Sequence, residues 1–147
     1  MRAGLVGLIA LVLALARAPG AFAETSCSKA DFEAVVDEAA AALRSLNHEN
    51  TPQFQARLRQ LKDKRGWSND QFMKEAEPFV RDEQIAAHDR KSEEFLARIT
   101  SAGQVGASAT PDCALLAELR GAMKALVDTQ TAKWAYMFDK LEKELRK

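Results

Sequence analysis

Residues 110–147 read TPDCALLAELRGAMKALVDTQTAKWAYMFDKLEKELRK, and the reading of this stretch decides the fold. Thr110-Pro111 pairs a helix N-cap residue with a proline at the first helical position, where the missing N–H goes unused. Leu116, Leu119, Met123, Leu126, Val127, Trp134, Met137, Phe138, Leu141 and Leu145 then fall on one apolar stripe of a helix. A continuous helix of about 36 residues runs about 54 Å. On its opposite side Gly121, Ala122, Ala125, Thr129 and Ala132 form a face of small residues, extended by Tyr136. Small residues let helix backbones approach closely. A helix with seams on two sides is either the centre of its own bundle or shared with another chain, which makes Gly121, Ala125, Thr129, Ala132 and Tyr136 a candidate interaction face.

Working back along the chain, the same 3.6-residue period recurs and no stretch alternates apolar and polar residues. Ser28 with Asp31 opens a first helix that carries Phe32, Val35, Val36, Ala39, Ala40, Leu43 and Leu46. The polar run Asn47–Asn50 is expected to end it, and Thr51-Pro52 to start a second helix through Phe54, Leu58 and Leu61 to Arg65, with Gly66 closing it. Ser68 to Gln71 reads as a capping box for a third helix with Phe72, Met73 and Ala76 on one face. Pro78 is expected to kink or break it. Helix then resumes through Val80, Ile85, Phe95, Leu96 and Ile99, and Ala102–Ala109, with two glycines, reads as a loop.

Two cysteines, Cys27 and Cys113, stand 86 residues apart at the starts of the first and last helices. An even cysteine count in an exported chain predicts a disulfide, and closing a loop of that size is worth roughly 4–5 kcal/mol. The bond brings both helix starts to one end of the molecule, so the two helices must run parallel. An up-and-down bundle then needs an even number of reversals between them. Asn47–Asn50, Gly66–Trp67 and Ala102–Ala109 supply three, and a true turn near Pro78 supplies a fourth. The expected fold is therefore an all-α, up-and-down bundle of four to five helices with a long C-terminal helix and one disulfide.

The chain's beginning carries an address. Arg2, the apolar run Ala3–Ala16, the breaker Pro19-Gly20 and the small-residue motif Ala21-Phe22-Ala23 spell a secretory signal peptide, expected to be cleaved after Ala23. The apolar run is short of the roughly 20 residues that a membrane span needs. Residues 1–23 are thus expected to be the signal peptide and 24–147 a single helical bundle domain. Loss of Arg2 and Arg17 changes the formal charge from zero to −2. The mature chain is then weakly acidic, with no membrane segment and no basic field for nucleic acid. The Ala, Leu and Arg bias suggests a GC-rich bacterium, which makes the expected compartment the periplasm.

Groups that carry chemistry are sparse. His48 sits in a polar stretch, and His88 has Gln84 and Ser92 at its helical neighbours, which are poor metal ligands. Asp82, Asp89 and Glu93 share a helix face without a histidine, so a solvated acidic stripe is expected there. Met123 and Met137 read as core filling rather than haem ligands. No Cys-x-x-Cys motif or glycine-rich phosphate loop occurs, and no cofactor, metal or catalytic set is expected. Arg57, Arg59 and Lys62 crowd one helix and are a candidate anion patch. The expected function is that of a non-enzymatic periplasmic protein acting through protein–protein contact or self-association, of a chaperone or stress class. The alternative is a bundle that binds a small ligand or metal in its core.

Overall fold

The computed structural model describes residues 27–108 and 112–147. The expected signal peptide lies outside them, as do Thr110 and Pro111; the last helix begins at Cys113 rather than at Thr110-Pro111, with Asp112 as its N-cap accepting from Ala114 N–H at 2.8 Å. Helix α1 spans Lys29–Arg65, α2 Asn69–Glu75, α3 Glu77–Val80, α4 Glu83–Ser108 and α5 Cys113–Arg146, and no strand occurs among the described residues. The fold is the all-α bundle with a long C-terminal helix, and Cys27 is disulfide-bonded to Cys113 with their Cα atoms 5.1 Å apart.

Helix α5 is the spine. Helices α1 and α4 each pack along it and touch one another little. Its buried residues Leu116, Leu119, Met123, Leu126, Met137 and Leu141 follow the apolar stripe, and Thr129 of the small-residue face is buried as well. Two apolar clusters form on it. Near the disulfide, Val35 and Ala39 of α1, Ala102 of α4, and Leu116, Leu119 and Met123 of α5 come together. At the other end Phe54, Leu58 and Leu61 of α1 meet Phe79, Ile85, Met137 and Leu141. The early part of α1 therefore lies on the early part of α5 and the late part on the late part, so the two run parallel, while α4 runs antiparallel to both. Across the far ends, Lys64 Nζ donates to the Leu145 carbonyl at 2.6 Å and Arg65 pairs with Glu144 at 3.0 Å. Burying a leucine such as Leu141 stabilises by roughly 1.5–3 kcal/mol.

The even parity holds, but with two reversals rather than four. Helix α1 does not stop at Asn47–Asn50 or restart at Thr51-Pro52; it runs unbroken through Pro52. Proline removes one backbone bond, to the carbonyl of His48, and both Pro52 and His48 are exposed, so water can take that carbonyl. Side-chain amides reinforce the same turn: Asn50 Nδ2 donates to the Leu46 carbonyl at 2.7 Å and Gln53 Nε2 to the Glu49 carbonyl at 3.0 Å. Both halves of α1 are also held against the same partner helix, which outweighs a local proline cost of about 3 kcal/mol. Pro52→Ala is accordingly expected to stabilise the protein by at least about 1 kcal/mol in equilibrium denaturation. A helix start at Thr51-Pro52 would make the same change neutral or destabilising.

The expected loop at Ala102–Ala109 is likewise not seen over its described residues, since α4 continues to Ser108, and Ala109 lies outside them. Gly103 weakens this turn, but Ala102 is buried in the disulfide-end cluster with Ile99 packed beside it, and that anchoring holds the helix. The ends marked by the Ser28 and Ser68 boxes and by Gly66 are where they were expected. Ser28 and Asp31 form a reciprocal capping box. Gly66 takes the left-handed conformation with φ 65°, and Trp67 N–H reaches back to the Lys62 carbonyl at 3.1 Å.

Candidate functional site

Between α1 and α4 the chain makes an elbow from two very short helices. Ser68 starts α2 through its capping box: its hydroxyl accepts from Gln71 N–H at 3.2 Å, and its own N–H donates to Gln71 Oε1 at 2.9 Å. Pro78 then sits in the first turn of α3, where no N–H is required of it. The chain turns just beyond, at Arg81 and Asp82, so a break does occur near Pro78 but is displaced to the end of α3.

The elbow is pinned to α5 by one buried ring and one polar knot. Phe79 enters the far-end cluster. Asp82 caps α4 by accepting from Ile85 N–H at 2.8 Å. Its other oxygen accepts from the Tyr136 hydroxyl at 2.8 Å and the Lys140 ammonium at 2.5 Å. Lys140 also donates to the Pro78 carbonyl at 2.6 Å. Chiefly because of the Lys140 bond, and against the opposing effect of burial, the Asp82 carboxyl falls from 3.8 to about 2. The bond to Asp82 pushes the Tyr136 hydroxyl up.

A folded value below the unfolded one means that Asp82 adds stability above the unfolded pKa near 4, and that this contribution disappears as pH falls through about 2. Asp82→Asn is therefore expected to lower Tm clearly at pH 7, with the gap to the parent closing between pH 4 and 2. A gap that does not vary with pH would show that the carboxylate charge is not what fastens the elbow.

With its inner side fastened, the elbow leaves a cleft against the late part of α1, about 740 Å³ in volume. Leu58 and Phe72 are apolar residues of its lining, and Met73 and Val80 stand at its rim, 74% and 47% exposed. Met73 does not share the inward face of Phe72 and Ala76, as its sequence position suggested. Phe72 and Ala76 are one helical turn apart and pack toward the core, whereas Met73 is rotated about 100° from Phe72 and points to solvent. Three of the four charged side chains of the cleft are cationic: Arg59, Lys62 and Arg81, against Glu77. Lys62 donates to Asn69 Oδ1 at 2.5 Å and lies 5.6 Å over the Phe72 ring. Arg81 pairs with Glu77 at 3.2 Å on an exposed surface. What the cleft offers is apolar surface, cations and side-chain amides.

The candidate anion patch is divided by the fold. Arg59 and Lys62 line the cleft, but Arg57 pairs with Glu142 of α5. The candidate interaction face is divided too. Thr129 is buried, Ala125 half-buried and Ala132 exposed, and all three line a hollow in the seam toward α4, while Gly121 is exposed elsewhere and Tyr136 is turned into the Asp82 knot. A polar belt crosses the bundle beside this seam, with Gln130 Nε2 donating to the buried Ser92 hydroxyl at 2.7 Å and Lys133 pairing with Asp89 at 2.5 Å. The acidic stripe is dispersed as well, since Asp82 and Asp89 each hold a lysine and Glu93 is exposed. His48 is exposed on α1, and His88 borders that same α4–α5 hollow with Lys91 and Phe95. Met123 and Met137 are core residues of opposite clusters. Among the described residues no three His, Cys, Asp or Glu side chains converge as a metal site would require.

Comparison with protein-family models, with curated proteins and with solved structures finds no match. The cleft therefore stands on its own geometry. Its cationic half was visible in the sequence as Arg59 and Lys62. Its apolar rim and Arg81 were missed; the i, i+4 pairing of Phe72 with Ala76, which leaves Met73 outside, is the signal that points to Met73, and none points to Val80 or Arg81.

Proposed function

We propose that this is an exported, non-enzymatic protein of the periplasm that works by holding a partner protein at the elbow cleft. The observation that carries the reading is the exposed apolar rim of Met73 and Val80 around a cleft whose inner side is fastened to α5. Scattered single apolar residues on a surface need no explanation, but apolar side chains grouped around a concavity mark a contact site. Export is supported by the leader-like segment before Glu24, and the Cys27–Cys113 bond suits an oxidising compartment. A chaperone or stress role fits a flexible thioether at the rim, because methionine adapts its shape to varied apolar partners.

A photo-reactive amino acid at position 73, compared with one at the exposed Ala117 of α5, tests the reading in periplasmic extract. Position 73 is expected to capture a defined protein that position 117 does not, and Met73→Glu with Val80→Glu is expected to abolish binding of that protein once purified. Capture at both positions alike, or at neither, contradicts the reading.

A further inference from the structure

The cleft's chemistry narrows what it holds. Its cations are poorly satisfied from within the chain. Arg59 makes no ion pair among the described residues, and the Arg81–Glu77 pair is exposed on both sides, where such pairs contribute little and exchange readily. Lys62 is held by a neutral amide. A partner that brings carboxylates to this rim thus meets three cations without displacing a strong internal pair.

The walls are helices, and no strand edge lies among the described residues, so an occupant cannot bind by extending a sheet. A groove between helices with apolar anchors recognises the apolar face of another helix. The cleft is also open to solvent, with Met73 largely outside it, and does not enclose a ligand as a small-molecule pocket does. The protein's own N-terminal segment joins the fold at Cys27, at the disulfide end. By helix rise that is about 45 Å from Leu58, too far to fill the cleft with the short stretch that follows the expected cleavage point.

We infer that the elbow cleft recognises an acidic amphipathic helix of a partner protein, its apolar face on Leu58, Phe72, Met73 and Val80 and its carboxylates on Arg59, Lys62 and Arg81. This rests on the cleft being the contact surface. The electrostatic half of recognition must then weaken with salt, since the charges are exposed.

Calorimetric titration of the full disulfide-bonded chain tests it with two synthetic peptides: a leucine–glutamate amphipathic helix and its lysine-for-glutamate counterpart. The acidic peptide is expected to bind at least ten times more tightly than the basic one. Arg59→Glu is expected to weaken it at least tenfold with thermal unfolding unchanged, and Met73→Ser to weaken it independently of salt. Equal binding of the two peptides, binding of neither, or an Arg59→Glu variant that binds like the parent overturns the inference. So does a concentration-dependent dimer in sedimentation that Met73→Ser dissolves, which would make a second copy the occupant. If position 73 captures a partner while the acidic peptide fails, this inference falls and the contact reading stands. If both fail, both fall.

Discussion

Replacing Leu141 by alanine is expected to cost about 3–5 kcal/mol and to lower Tm by on the order of 10 °C or more. Leu141 is completely buried and lies where α1, α3, α4 and α5 meet, among Leu61, Phe79 and Ile85. Those neighbours belong to helices fixed by other means. α1 is tied at its end by Arg65–Glu144, and the elbow by the Asp82–Lys140 pair. The site cannot collapse into the space left by the missing methyls, and the cost of a truncation rises with the volume that remains empty. Leu96, 49% exposed on α4, supplies the contrast. Leu96→Ala is expected to change stability by less than about 0.5 kcal/mol. Similar losses for the two variants in equilibrium denaturation would place the core elsewhere.

Removing the disulfide is expected to be comparably severe. Cys27→Ser with Cys113→Ser should lower stability by about 3–5 kcal/mol, chiefly because the unfolded chain regains the freedom of a long closed loop. The effect should also be local. The disulfide-end cluster is built from few large side chains, with two alanines among its buried members. The far-end cluster holds two phenylalanines and is backed by Trp134 and Phe138, whose rings meet Phe54 at 5.9 and 5.4 Å. Amides of the first turns of α1 and α5 are therefore expected to exchange fastest in the disulfide-free variant, while the elbow end stays protected. Uniform loss of protection, or none, would contradict that division.

These features were unequally legible in the sequence. The capping box at Ser28, the glycine at 66 and the second box at Ser68 are chemistry of a few neighbouring residues, and each marks a real helix end. The stripe and the small-residue face of α5 marked a helix with seams on two sides but left open whether the second was covered within the bundle or by another chain; α1 and α4 both pack on it, and the cysteine positions gave the parallel alignment with α1. Pro52 and Gly103 misled for one common reason. Each weakens a helix locally, but its neighbours are held to α5 by buried side chains far along the chain, Phe54 and Leu58 in one case and Ala102 in the other. A cost of one to three kcal/mol is then overridden by packing that no local pattern displays. The cleft was half legible. Arg59 and Lys62 stood out as cations, but nothing near Arg57 announces that Glu142 takes it, and nothing near Asp82 announces Tyr136 and Lys140.

The placement of the cleft depends on α1 being one helix that lies parallel to α5 from the disulfide to the elbow. Methyl–methyl nuclear Overhauser contacts read this alignment directly. Cross-peaks are expected between Leu61 of α1 and Leu141 of α5, and between Val35 and Leu119. Cross-peaks joining Val35 to Leu141 instead would mean that the two helices run in opposite directions, and that the elbow does not face the surface described.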